Sequence, residues 1–182
     1  MTVRELNIVT GNLPELAKKD NFDVILHGAH CYNYMGHGVA AAISKTFPAA
    51  FKADQATPRG LREKMGTYSY AVCKTDAANP VVVINAYTQF YYGIKHYQSQ
   101  ESFNYKALER VCEAILYRLG GKGLRFGFPL IGGDRGNADP HQALKIVNDA
   151  FRSENRTLVL FGESGRRKQY RPVDFAYLKG GS

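Results

Sequence analysis

The sequence contains no apolar stretch long enough to span a bilayer, so a helical membrane protein is not expected. Its first residues, MTVRELNIVTG, carry a charged pair and then a short strand-like run. They lack the apolar core of a secretory leader. Cysteine is scarce. Cys31, Cys73 and Cys112 are odd in number and far apart, which argues against a disulfide frame and against a zinc site. They read as reduced thiols of a cytoplasmic protein. The histidines and carboxylates also lack metal-ligand spacing, so neither metal nor cofactor is expected. No internal repeat and no second-domain linker interrupts the chain. What remains is one globular domain of 182 residues, 45% of them hydrophobic, which is enough to bury a core. A monomer with no membrane attachment is expected.

Charge is the first positive signal. Lysine and arginine number 24 against 16 acidic residues, a net +8. That favours an anionic partner: a nucleotide, a phosphorylated metabolite or nucleic acid. Part of the excess sits after residue 162, where five cations face only Glu163 and Asp174. This tail reads either as a solubilising extension or as an anion contact.

The pattern alternates strand and helix. Strands are expected at 5–9, 23–27, 66–74, 81–84, 124–129 and 158–161, with 66–74 and 81–84 forming a hairpin across the turn at 76–80. Helices are expected at 13–19, at 38–47 closed by Pro48, at 105–119 ended by Gly120-Gly121, and at 140–151. Short helical pieces are expected over 51–65. Asp139 is placed to cap the last helix, with Pro140 at its first position. Continuous apolar strands between helices argue for a layered α/β domain with both sheet faces covered. In such folds ligands bind beyond the carboxyl ends of strands. The informative loops are then 9–13, 27–39, 85–100, 130–139 and 161–168.

Two of these loops are rich in glycine. Met35-Gly36-His37-Gly38-Val39-Ala40 opens a helix, whose free N–H groups and dipole attract phosphate. A simple turn explains a lone Gly-x-Gly as well. The second, 129–139, again joins strand to helix, and two such loops on one sheet edge suit a diphosphate. Arg135 either adds charge there or is a solvated loop residue.

At this point the sequence resembles a known family. The run GNL … ILHGAHCYNYMGHGVA … FPAAF … VINAYTQF … FPLIGGDRGNAD … LVLF is similar to macro domains, in the branch of yeast- and phage-type ADP-ribose-1''-phosphate phosphatases. Terminal ADP-ribose glycohydrolase is a neighbouring branch. The likeness covers about residues 5–161, so the domain is expected over 1–162 with a basic extension at 163–182. It implies a three-layer α/β/α fold with a central mixed sheet and a cleft for ADP-ribose or its 1''-phosphate. By motif, Gly11, Asn12 and Leu13 would meet adenine, and Phe161 would pack on it. Gly36, His37, Gly38 and Val39 would form the first diphosphate loop, and Ile131, Gly132, Gly133, Asp134, Arg135 and Gly136 the second. His27 matches a histidine of the yeast-type phosphatases. Asp139 matches an acidic position used in catalysis by the glycohydrolase branch.

There are departures. Asn12 stands where the family usually has Asp, His30 where Asn is common, and His37 where a small residue is usual. Neither Lys74 nor Lys95 sits in the pattern of the glycohydrolase branch's adduct-forming lysine.

A sugar-phosphate phosphatase needs a positioned water, a base or aligner, and stabilisation of charge on the phosphoryl group. Asp139 could orient the water or merely cap its helix. His27 or His30 could protonate the leaving oxygen, since imidazole titrates near neutral pH. His27 also reads as a satisfied, buried strand-end residue. Asn85 is a polar contact at a strand end. The tyrosines of 87–93 either wall the distal ribose or pack. Cys31 has no Cys-x5-Arg motif after it and reads as a buried structural thiol. Three functions follow: hydrolysis of ADP-ribose-1''-phosphate, removal of ADP-ribose from protein or nucleic acid, or non-catalytic binding of ADP-ribose or RNA.

Overall fold

The computed structural model describes residues 2–91, 103–132 and 138–162. Six strands form one mixed sheet: β1 (Asn7–Gly11), β2 (Val24–His30), β3 (Tyr68–Cys73), β4 (Val81–Gln89), β5 (Arg125–Phe128) and β6 (Asn155–Phe161). Their order is β1-β6-β5-β2-β4-β3. Every pairing is parallel except β3 with β4. The helices are α1 (Leu13–Lys18), α2 (Gly38–Thr46), α3 (Pro48–Gln55), α4 (Tyr105–Leu119) and α5 (Pro140–Ala150), with one 3-10 turn at Arg62–Lys64.

Alternation along the strands builds two cores. Val24 and Leu26 of β2, with Ile84 and Ala86 of β4, face Leu108, Val111, Ile115, Leu144 and Val147 of α4 and α5. Ile25, Val81 and Val83 face the other way, onto Leu13, Ala17, Ile43 and Ala50 of α1 to α3. The period of two sends successive side chains to opposite faces, and both faces are covered by helices. This is a three-layer α/β/α domain. Among the described residues no helix is long and apolar enough to cross a membrane.

Several elements extend beyond the sequence expectation. β2 continues through His30 and β4 through Gln89, so 27–30 and 85–89 are strand, not loop. Main-chain pairing carries them: His27 lies opposite Asn85 and His30 opposite Gln89, with a bulge between Ala29 and His30. Pro48 ends α2 but also starts α3 at its first turn, where a missing N–H costs nothing.

The five parallel strands all end on one edge. Gly11, His30, Phe128, Phe161 and Gln89 mark that edge. It also carries the starts of α1, α2 and α5.

Candidate functional site

At one end of this edge Gly11 lies in register with Phe161. Phe161 is 53% exposed, so its ring is available to a ligand. Asn12 follows Gly11 and caps α1, accepting weakly from the Glu15 N–H at 3.4 Å. Leu13 is a core residue, buried under α1. The structure thus brings Gly11, Asn12 and Phe161 together and turns the Leu13 side chain inward.

In the middle lies the start of α2. His37 takes the cap position with extended backbone and no side-chain cap bond. Gly38 follows with φ +57°, a conformation that glycine adopts without strain. Gly36 is needed for a different reason. A Cβ there would lie 2.3 Å from the Cζ and Oη of Tyr34, whose ring folds back over the glycine. Tyr34 stands in a row of rings. Its centroid is 6.3 Å from that of His30 and 5.5 Å from that of His37, and its hydroxyl is 3.4 Å from His37 Nε2. Tyr34 was not among the residues singled out by sequence. Only the fold reveals that it leans across the first glycine loop.

His30 is half-buried. Its Nδ1 accepts from the Tyr32 N–H at 3.2 Å, so in the neutral ring Nε2 carries the proton. Burial pushes its pKa down to about 4, against a main-chain hydrogen bond near Tyr34 and with the charge of Lys64 adding to the fall. His30 is therefore neutral at physiological pH. Its folded pKa lies below the ordinary value of about 6.5, so the unfolded chain takes up the proton first. Stability that is full above that value is then lost as pH falls toward about 4. An NMR titration should find the His30 ring still neutral at pH 5; a midpoint near 6.5 would contradict this environment.

His27 is only 1% exposed. Its Nε2 lies 2.7 Å from Asn85 Oδ1. The Asn85 amide donates to the Ala50 carbonyl and to Ser69 Oγ, both at 3.0 Å, which fixes its oxygen toward His27. His27 is thus the Nε2–H tautomer, and its Nδ1 has no partner among the described residues. Burial lowers its pKa too, so it stays neutral. Asn85 is fully buried inside β4, with both amide functions engaged. Neither side chain reaches the open edge: β4 runs four residues beyond Asn85, and both groups lie beneath α3.

Between β6 and β2 on this edge lies the strand-to-helix connection after β5. Ile131 is buried in the core, and its Cγ2 would lie 3.1 Å from a Cβ on Gly28. Gly132 has φ +77°, and a Cβ there would strike Phe103 and Ala138 at 2.6 and 2.7 Å. Gly133, Asp134, Arg135 and Gly136 lie outside the described residues, as does the 163–182 extension. Asp139 is exposed and caps α5, its Oδ1 accepting from the His141 N–H at 2.9 Å. Its own N–H donates to the Tyr105 hydroxyl at 2.8 Å. The second carboxylate oxygen leaves room for a further partner.

Cys31 is buried and its thiol is pushed up to about 11 by burial, which leaves it protonated and unreactive. Among the described residues no group of histidines, cysteines and carboxylates could hold a metal ion.

No family model matches the sequence. An uncharacterized 17.5 kDa protein of the tk-vs intergenic region of Enterobacteria phage T4 is 36% identical over 85 residues. That stretch is 46% of this chain and 50% of the phage protein, so the chain spans half the length of the curated relative it matches. Several of the solved structures it resembles are macrodomains. The macrodomain of Thermus aquaticus DarG aligns with TM-score 0.60 at 18% identity, covering 87% of this chain and 98% of that one. Thermosipho africanus DarTG, solved with ADP-ribose, aligns with TM-score 0.62 at 13% identity over 90% of this chain and 45% of that one. A Trypanosoma brucei macrodomain, also solved with ADP-ribose, gives TM-score 0.60 at 16% identity over 88% of this chain and 65% of its own. At these identities the likeness is one of fold, and the fold is that of macrodomains.

Proposed function

We propose that the carboxyl edge binds ADP-ribose and that the protein hydrolyses ADP-ribose-1''-phosphate to ADP-ribose and phosphate. One observation carries the reading: a single sheet edge gathers Gly11, Asn12 and Phe161, the glycine-opened start of α2, His30, and the Asp139 cap. Two structures that share the fold were solved with ADP-ribose. The net charge of +8 suits the diphosphate.

In this reading adenine lies against Phe161, with Asn12 beside it. The diphosphate meets the N–H groups of α2 after Gly36, His37 and Gly38, where the helix dipole favours anions. Val39 continues that first turn. Ile131 and Gly132 open the second glycine loop, and by motif Gly133, Asp134, Arg135 and Gly136, outside the described residues, are further candidate contacts to the diphosphate. The distal ribose then points toward His30 and Tyr34. Asp139 aligns a water and takes a proton from it as the water oxygen bonds to phosphorus. The bond from phosphorus to the 1'' oxygen breaks, and that oxygen, hydrogen-bonded by His30 Nε2–H, takes up a proton from solvent to leave as the hydroxyl of ADP-ribose. His27 and Asn85 support this edge from below rather than touching substrate.

The test is phosphate release from ADP-ribose-1''-phosphate by wild type and Asp139→Ala, without added metal. Release by wild type and a drop of roughly 100-fold or more in the variant is the expected result, the loss typical of a general base or aligner. Equal release by both would remove Asp139 from the reaction. No release by either would move the reaction to another ADP-ribose linkage.

A further inference from the structure

A second polar cluster lies under the loop that joins β2 to α2, and the reaction above does not use it. Lys64, at the end of the 3-10 turn, is 5% exposed, and Asp54, near the end of α3, is 1% exposed. A buried ammonium must replace its lost water with other partners. The Lys64 ammonium donates to the Cys31 carbonyl at 3.2 Å and to Asn33 Oδ1, and lies 4.3 Å from the centre of the Tyr87 ring. Asp54 Oδ1 accepts from the Tyr87 hydroxyl at 2.7 Å.

Asn33 is the residue these contacts converge on. It has φ +56°, in the left-handed region that asparagine tolerates better than most residues. Its amide donates to the carbonyls of Asp54 and Thr57 at 2.9 and 2.7 Å, and its own carbonyl accepts from Gln55 Nε2 at 2.6 Å. The Gly60 N–H donates to the Cys31 carbonyl at 2.7 Å. Residues 54–64 thus grip the loop by its main chain, immediately between His30 and Tyr34.

We propose that Lys64 is a positioning residue of the candidate site: its buried ammonium holds 31–33 in the shape that presents His30 and Tyr34 to the ligand. An ammonium placed for stability alone would be a poor choice, because an apolar side chain of similar volume would avoid the desolvation cost. Here it is aimed at a loop carbonyl and a loop side chain, groups that water could otherwise reach and loosen. Burial lowers the Lys64 pKa, and the charge of Asp54 opposes that fall, so the two buried charges sustain each other. The inference rests on the ADP-ribose reading of the site, but its loop readout does not need the ligand.

The experiment pairs Lys64→Met with Asp54→Asn, so that no lone charge is left buried. The double variant should keep a thermal midpoint close to wild type, shift the amide resonances of 31–35 in the ligand-free protein, and lose about tenfold or more in ADP-ribose affinity by calorimetry. Lys64→Gln with Asp54→Asn returns a donor without charge and should recover part of that affinity. Unchanged resonances at 31–35, or wild-type affinity, would overturn the proposal. Failure of wild type to bind ADP-ribose would sink the ligand reading instead, and the resonances would still decide the role of Lys64. If the double variant does not fold, the wild type supplies the answer. Slowly exchanging Lys64 ammonium protons with cross-peaks to the Asn33 side chain support the anchor, and fast exchange without them overturns it.

Discussion

Gly36→Val is expected to weaken ADP-ribose binding by about 100-fold, equivalent to roughly 2.7 kcal/mol, while changing stability little. A Cβ at 36 cannot coexist with the Tyr34 ring where it now lies, 2.3 Å away. Tyr34 is 43% exposed, so it can swing into solvent at small cost to the fold. The damage falls on the site instead. Tyr34 leaves its place between His30 and His37, and a branched side chain projects from the loop just before the α2 start, where phosphate would seat. Calorimetry on the variant, beside its thermal melt, separates the two effects. Full affinity in a folded Gly36→Val protein would mean that the diphosphate does not approach this loop.

Asn85→Leu should produce the opposite pattern, a large loss of stability in whatever protein folds. The leucine removes the acceptor of His27 Nε2–H, and His27 already has an unpartnered Nδ1. A buried imidazole with neither nitrogen bonded costs about 2–4 kcal/mol once the lost hydrogen bonds are included. Against a total of about 5–15 kcal/mol for a domain this is a large fraction. The donor contacts to the Ala50 carbonyl and Ser69 Oγ go as well, which loosens α3 from β4. Chemical denaturation should show the unfolding free energy fall by that amount. A near-neutral result would mean that the edge does not depend on the His27–Asn85 bond.

Much of the frame was legible before any coordinates. The helix at 105–119 has the ends expected of it, because the apolar stripe and the Gly120 stop agree; the structure adds the Asn104 cap at its start. The Asp139 cap and Pro140 start of α5 follow from local chemistry alone, and the hairpin pairs Cys73 with Val81 around its turn. Covered faces follow from the continuous apolar strands between helices, and the mixed sheet was what the family resemblance implied. What failed to show were polar residues continuing a strand. The ends of β2 and β4 look like loop because His27, Asn85 and Thr88 are polar, yet each is buried: His27 and Asn85 face each other across the sheet, and the Thr88 carbonyl accepts from the Asn104 N–H. Pro48 was readable as a stop but not as a start, since both uses need the same residue.

The position of the candidate site's first glycine loop, at the start of a helix, was legible; the different surroundings of the two histidines were not. Sequence placed the two loops on one edge, where the described parts of both now lie. It gave His27 and His30 the same candidate role, because a neutral-range pKa belongs to histidine in water and not to a buried ring. Tertiary burial separates them: His30 sits at the edge, His27 below it. The cluster of Asn33, Asp54, Lys64 and Tyr87 had no local signal at all. Its members are spread over some fifty residues and meet only after α3 and the 3-10 turn fold back under the β2–α2 loop.

The central claim is that the carboxyl edge is an ADP-ribose site, and isothermal calorimetry of the purified protein with ADP-ribose tests it most directly. Saturable binding at one site per chain, lost in Gly36→Val, is the predicted result. No heat of binding with ADP-ribose at millimolar concentration, from protein that melts cooperatively, would contradict it.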